Sequence, residues 1–254
     1  MFFFKQIKKN MQIRNIIKNV TPKSISTILK RIVIGYDVNT YSFSQGGEDV
    51  ILKNIFWNKI VTKTNGFFID IGAYHPVKGS NTFLFYNHGW NGINIDPNPY
   101  TINLFNKKRK RDINIQAAIS DKEEESTYYY YGETFSQNSL SKEFMQKFGN
   151  SAPAKEMKIN TFRLETILNQ HSHKFNQIDF LNIDVEGLDY NVLISNDWNK
   201  FRPKIVIVEI EGITIDDIIK DKSSIFLKQN QYSFYTRVPM GKISSAIFID
   251  ERIS

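Results

Sequence analysis

From Gly66 onward the chain alternates between short apolar runs and longer amphipathic stretches. Gly66-Phe67-Phe68-Ile69-Asp70-Ile71-Gly72, Gly92-Ile93-Asn94-Ile95-Asp96 and Ile113-Asn114-Ile115-Gln116-Ala117 are the first three runs. Ile178-Asp179-Phe180-Leu181-Asn182-Ile183-Asp184 and Lys204-Ile205-Val206-Ile207-Val208-Glu209-Ile210 come after them. None alternates cleanly between apolar and polar, which predicts strands covered on both faces, as in a parallel sheet. Helical stretches fall between or before them: residues 49–57, 80–88 (halted by Gly89), 99–110 (burying Ile102 and Phe105), 161–170 (burying Leu164, Ile167 and Leu168) and 214–230. The last opens with Thr214 as N-cap and Asp217 three positions on. The pattern predicts an α/β doubly wound sheet. Residues 232–235 and 246–249 read as a closing pair of strands. Residues 121–158, rich in Tyr, Ser, Gln and Lys, show no clear period and read as an insertion or lid.

Ahead of this lies a different pattern. Ile13, Ile16, Ile17 and Val20 share one helical face, and Thr21-Pro22 signals a second helix carrying Ile25, Ile28, Leu29 and Ile32 to Gly35. Residues 1–40 therefore read as a helical arm before a domain spanning 41–254. Charge sharpens the division. The chain of 254 residues carries +7, but residues 1–36 hold six Lys, two Arg and no acid. The remainder has 25 basic against 26 acidic residues and is almost neutral. A domain uniformly coated with positive charge is thus excluded, and no nucleic-acid partner is expected. Three readings of the arm stay open: a peripheral contact with an anionic membrane surface, with Phe2, Phe3 and Phe4 inserting; a targeting peptide; and a packing or dimerisation arm. No apolar run is long enough to span a bilayer. A cytoplasmic location is expected, with the inner membrane face as a peripheral site.

The sequence contains no Cys and four scattered His, which removes thiolate nucleophiles and cysteine-zinc sites. The chemistry points to carboxylates. Asp70, Asp96, Asp184 and Glu209 each stand at or near the end of a strand, where doubly wound sheets bind ligands. Gly72 and Ala73 after the first strand let a ligand approach the backbone. Asp96 falls 26 residues after Asp70, where a carboxylate takes the hydroxyls of a ribose. The glycine-rich turn of pyrophosphate sites is missing, so a nucleoside without a diphosphate fits better.

Eight motifs in order now carry a resemblance. They are Ser44-Gln45-x-Gly47-Glu48-Asp49; Phe68-Ile69-Asp70-Ile71-Gly72-Ala73-Tyr74-His75-Pro76; Ser80-Asn81-Thr82; and Gly89-Trp90-x-Gly92. Ile95-Asp96-Pro97-Asn98-Pro99, Ala118-Ile119-Ser120, Ile183-Asp184-Val185-Glu186-Gly187-Leu188-Asp189 and Val208-Glu209 complete them. Over about residues 41–211 the sequence resembles the FkbM family of S-adenosylmethionine-dependent methyltransferases. The resemblance implies a Rossmann-like class I methyltransferase fold, a mostly parallel seven-stranded doubly wound sheet whose last strand is antiparallel. It implies O-methylation, often of a sugar or other glycan or natural-product hydroxyl, and a saccharide of cell-surface polysaccharide or lipopolysaccharide assembly is the expected acceptor.

The resemblance also assigns positions. Asp70 would lie near the methionine amino group, Gly72 and Ala73 in the cofactor turn, Asp96 and Pro97 at the ribose, and Ser120 and Asp121 beside the adenine. Asp184 would face the transferring methyl. Two readings of Gln45, Glu48 and Asp49 stay open: they reach over the cofactor, or they begin the helix at 49–57. Tyr74, Ser80, Asn81 and Glu209 are the expected acceptor contacts. Methyl transfer to a hydroxyl needs an aligned oxygen and a base; His75, Asp184 and Glu186 are the available ones. Two carboxylates do not specify a hard-cation site, and no metal is expected. The run 107–111 reads as a solvated helix face. Two other classes compete: a nucleotide-sugar or nicotinamide enzyme on a similar sheet, and a non-catalytic, membrane-associated adaptor that keeps the fold.

Overall fold

The apolar runs form the middle of one sheet in a computed structural model that describes residues 41–61, 64–147 and 152–253. The basic arm and its two expected helices lie outside the described residues. The chain divides into Met1–Tyr41 and Ser42–Ser254, and the second unit contains the sheet.

Its strands are β1 (Phe67–Ile71), β2 (Asn91–Asp96), β3 (Ile113–Gln116), β4 (Ala118–Ile119), β5 (Glu125–Tyr130), β6 (Lys155–Phe162), β7 (Phe180–Ile183), β8 (Ile205–Glu211), β9 (Tyr232–Met240) and β10 (Ile243–Asp250). Its helices are α1 (Glu48–Ile55), α2 (Trp57–Val61), α3 (Phe83–Asn87), α4 (Pro99–Lys108), α5 (Lys142–Lys147), α6 (Leu164–His171), α7 (Asp189–Ile194), α8 (Ile215–Lys220) and α9 (Lys222–Gln229). Seven strands lie in the order β3-β2-β1-β7-β8-β10-β9. Those from β3 to β8 run parallel. β10, the last in the chain, runs antiparallel to both its neighbours.

Alternate side chains of each central strand feed opposite faces. Ile69, Ile71, Ile93, Ile95, Leu181, Ile183, Val206 and Val208 join one apolar cluster with Leu164 and Leu168 of α6, Val192 of α7 and Leu227 of α9. Phe68, Phe180, Ile205 and Ile207 join another with Leu52 of α1, Leu84 and Phe85 of α3, and Trp90. Both faces are covered, which is why the runs show no polar alternation.

Several boundaries differ from expectation for local reasons. The stretch 214–230 is two helices. Thr214 caps α8 reciprocally with Asp217, but Asp221 is extended and its side chain accepts from the Ser223 N–H, starting α9 anew. Thr161 and Phe162 belong to β6, so α6 begins only at Leu164. Within the aperiodic stretch, β5 and β6 pair antiparallel, and β4 joins β6 to complete a small three-stranded sheet. Glu-Ser-Thr-Tyr-Tyr-Tyr makes a strand with one buried member, Tyr128, too polar to register as a core run. No described helix is long and apolar enough to cross a membrane.

Candidate active site at the strand ends

Register aligns the site. Ile71 pairs with Ile95 on one side and Ile183 on the other, and Ile183 pairs with Val208. One residue further along each strand therefore come Asp96, Gly72, Asp184 and Glu209, in a row across the sheet. Gly72 adopts φ +76°, and a Cβ there would lie 1.6 Å from the Asp184 carbonyl oxygen. Only glycine lets the chain turn there. Tyr74 lies two residues on in the left-handed region, φ +49°, and its N–H donates to Asp96 Oδ2 at 3.0 Å. Asp96 Oδ1 accepts from the Asn98 N–H at 2.8 Å. Glu186 (φ +56°) and Gly187 (φ +100°) make a second left-handed turn after β7.

Two clefts meet at this row and share Gly72, Tyr74, Ser136, Asp184 and Glu186. One, enclosing about 560 Å³ with its open mouth, is walled by Ile71, Ile95, Ala117, Ala118, Ile119, Tyr128 and Val185, with Asp96 and Pro97 at its side. The other is polar and takes in Gln45, Asp70, Ala73, Asn81 and Asn182. A third cleft opens past the Glu186–Gly187 turn, between Phe144, Asp189, Tyr190 and Glu209.

The loop after β5 crosses the apolar cleft with Phe135, Ser136, Asn138 and Leu140. Its own polar groups close it, since Asn138 accepts from the Tyr131 N–H and donates to the carbonyls of Gly132 and Phe135. Three further bonds tie it across the site. The Asn98 amide donates to Glu133 O, the Tyr74 hydroxyl to Thr134 O, both at 3.0 Å, and the Ser139 hydroxyl to Glu186 O at 2.8 Å.

Electrostatically the row is a cluster of acids. Burial raises the Asp96 carboxyl to about 6, opposed by its two backbone hydrogen bonds and assisted by Asp70. Burial, then the charges of Asp70 and Glu48, raise Asp184 to about 7. Glu186, Asp189 and Glu209 are raised by burial and by one another and Asp184. Such a cluster favours a cation over an anion. Among the described residues no group of three His, Asp or Glu is placed to hold a metal ion.

The structure brings most of the expected residues together and sets others apart. Gln45, Asp70, Gly72, Ala73, Tyr74, Ser80, Asn81, Asp96, Pro97, Asp184 and Glu186 border the paired clefts, and Glu209 the third. Ser120 and Asp121 border none of the three; Asp121 accepts from Ser120 and from Asn191 of α7, and Ala117 to Ile119 form that wall instead. Glu48 is buried below the site, accepting from the Gly46 N–H and the Ser245 hydroxyl. His75 turns its Nδ1 to the N–H groups of Val77 and Lys78, at 3.1 and 3.0 Å. Burial and Lys78 keep its pKa below the usual value. That ring shapes a turn and borders none of the three clefts.

Asn182, Asp189 and Tyr128 join the clefts without a role expected from sequence. Asn182 does leave a signal: it is polar within a buried strand and pairs in register with Asp70. Within the run 107–111, Lys107, Lys108, Lys110 and Arg111 are exposed as expected of a solvated face, but Arg109 is fully buried.

A nucleoside with a cationic amino-acid tail matches this donor set. The apolar wall suits a base, Asp96 a ribose, the polar cleft an amino acid, and the unpaired acids a positive charge. The fold and site thus define an α/β methyltransferase that uses S-adenosylmethionine. The methyltransferase FkbM domain matches residues 70–234, and the chain belongs to that family. No curated protein matches. Among solved structures, a TehB-like SAM-dependent methyltransferase from Corynebacterium glutamicum is similar at a TM-score of 0.42 and 8% identity, over 90% of this chain and 97% of that one. A likeness that slight adds nothing to the fold seen directly.

Proposed function

We propose that the protein methylates a hydroxyl of a saccharide in a cell-surface polysaccharide, lipopolysaccharide or related glycan. The alignment of Asp96, Gly72, Asp184 and Glu209 across the strand ends carries this reading, because it sets three clefts side by side around one acid-rich centre. Asp96 holds the ribose hydroxyls, Ala117 to Ile119 flank the adenine, and Asp70 and Gln45 surround the amino-acid end; Asn81, expected as an acceptor contact, donates to Asn182 beside Asp70 and is placed with them here. S-adenosylmethionine supplies an electrophilic methyl on a positively charged sulfur.

The body of the acceptor rests in the third cleft, where Tyr190 and Phe144 offer ring faces and Glu209 and Asp189 offer oxygens, a mixture suited to a sugar, and its reactive hydroxyl extends past the Glu186–Gly187 turn to Asp184, which borders the other two clefts. The acceptor oxygen would bond to the methyl carbon as the carbon–sulfur bond breaks and its electron pair returns to sulfur, leaving the neutral demethylated cofactor, and the acceptor's own proton would pass to Asp184. A carboxyl raised toward neutrality is matched to that task, and Glu186, itself raised by burial and by the charge of Asp184, lies beside it. No metal takes part in this reading. A nicotinamide or nucleotide-sugar enzyme is disfavoured by the missing glycine-rich turn after β1 and by the acid-rich centre, which suits a cation better than a pyrophosphate.

The acid-free residues 1–36 support a peripheral contact with the inner membrane face and a cytoplasmic domain over residues 41–254. Sedimentation with anionic vesicles, comparing the full chain with one starting at Tyr41, tests the contact; equal binding by both ends it. For the reaction, the test is transfer of labelled methyl from S-adenosylmethionine to fractionated cell-surface glycans, with mass spectrometry of the product. Absence of calorimetric heat with both the cofactor and its demethylated form would sink the reading.

A further inference from the structure

Arg109 is the C-cap of α4, inside the run Lys107-Lys108-Arg109-Lys110-Arg111, yet no part of it reaches solvent. Its guanidinium packs 5.0 Å from the Tyr86 ring, 5.2 Å from Phe83 and 5.5 Å from Phe105. All three of its nitrogens are used. Nε donates to the Pro76 carbonyl at 2.8 Å, one terminal nitrogen to Ser80 Oγ and Thr82 Oγ1, both at 2.9 Å, and the other to Asp112 at 3.3 Å. Burying an arginine is costly unless its donors are matched, and here most of the matching groups belong to the loop after β1.

The connection continues toward the site. The Thr82 hydroxyl accepts from Arg109 and donates to Asp70 Oδ2 at 2.8 Å. Asp70 Oδ1 accepts from the Asn182 amide at 2.9 Å, and Asn182 Oδ1 accepts from Asn81 at 2.8 Å. Asp70, Asn81 and Asn182 border the polar cleft; Arg109 and Thr82 do not. Asp70 and Asp112 are both buried beside the one guanidinium. Burial pushes both carboxyls up, opposed at Asp70 by the hydrogen bonds from Thr82 and Asn182 and by the charge of Arg109, and at Asp112 by that charge first. The chain therefore ends at the cleft in a buried carboxyl held at both oxygens, placed to accept from an ammonium group.

We infer that Arg109 is a positioning residue for the amino-acid half of the cofactor: through Thr82 it fixes the Asp70 carboxylate and through Pro76 and Ser80 the loop beside it. The inference rests on the methyltransferase reading above. It separates the two halves of the ligand. None of the residues that Arg109 hydrogen-bonds lines the apolar cleft, whereas Ser80 and, through Thr82, Asp70 line the polar one, so the amino-acid half depends on it most directly. Lysine is no substitute, because a point ammonium lacks the planar fork that reaches all four partners.

The test is calorimetry on the full chain with S-adenosylhomocysteine and with 5′-methylthioadenosine, which keeps the nucleoside and lacks the amino acid. Arg109→Met weakens the first at least tenfold and leaves the second within twofold. Thr82→Val keeps the side-chain shape, cuts the link to Asp70 and gives the same split; Thr82→Ser restores it. Should Arg109→Met not fold, the two Thr82 variants decide alone. Equal weakening of both ligands, or no change in Thr82→Val, overturns the inference. Wild-type protein that binds neither ligand overturns the methyltransferase reading and the inference with it.

Discussion

Gly72 and Asp184 stand so close at the ends of β1 and β7 that a Cβ on the former would sit 1.6 Å from the carbonyl oxygen of the latter. No side-chain motion relieves such a clash, since both partners are backbone. Gly72→Ala adds a left-handed strain of about 1–3 kcal/mol to that overlap. The variant is expected to unfold at a clearly lower temperature and to lose cofactor binding; thermal melts and calorimetry check both. Wild-type affinity in a folded Gly72→Ala protein would show that the close approach does not shape the site.

The acid cluster sets a pH dependence. A carboxyl whose folded pKa is raised binds its proton more tightly folded than unfolded, so stability falls as pH rises between the unfolded and folded values. Asp96, from 3.8 to about 6, and Asp184, from 3.8 to about 7, place that loss between about pH 4 and 7. The ligand-free protein is therefore expected to melt higher at pH 6 than at pH 8, and Glu209→Gln to narrow the gap. A melting temperature that instead climbs from pH 6 to 8 contradicts the cluster.

The same charges act on the cofactor. Near neutral pH a sulfonium and an ammonium entering beside partly protonated acids displace protons. S-adenosylmethionine binding is expected to release protons at pH 6.5, measured as a dependence of calorimetric heat on buffer ionisation enthalpy. Asp96→Asn keeps the size but removes the charge and exchanges one acceptor oxygen for an NH2 donor, and is expected to weaken binding by about 10–100-fold, the scale of a lost charge-assisted bond at about 1.5–3 kcal/mol.

His75 supplies a contrast. With Nδ1 held by two backbone N–H groups, it should not set the pH profile of turnover. His75→Gln is expected to leave the shape of that profile unchanged while lowering stability modestly. Loss of the acidic limb in the variant would return the base role to the ring.

Thr214 tests the fold away from the chemistry. Its reciprocal cap with Asp217 opens α8 on the surface, and Thr214→Ala is expected to cost about 1 kcal/mol. Cofactor affinity should stay unaltered, as none of the three clefts includes either residue.

The sheet was legible because its central strands are uniform: Phe68, Ile69 and Ile71, or Ile205 to Val208, leave no other reading. The strand-end acids were legible for the same reason, being charges that interrupt apolar runs. What escaped detection depends on side chains meeting across long sequence separations. Arg109 lies in a run of five basic residues, and nothing local says which one turns inward. Tyr128 is one of four consecutive tyrosines. Ser120 and Asp121 occupy an expected position, but their side chains are taken up by one another and by Asn191. His75 has the residue type of a base and is committed to its own turn.

The bond from the Ser139 hydroxyl to the Glu186 carbonyl joins two clefts mechanically. The loop across the apolar cleft is fastened to the Glu186–Gly187 turn, beyond which the third cleft opens. A displacement of the loop is therefore passed to that turn, and one of the turn to the loop, through a single hydroxyl.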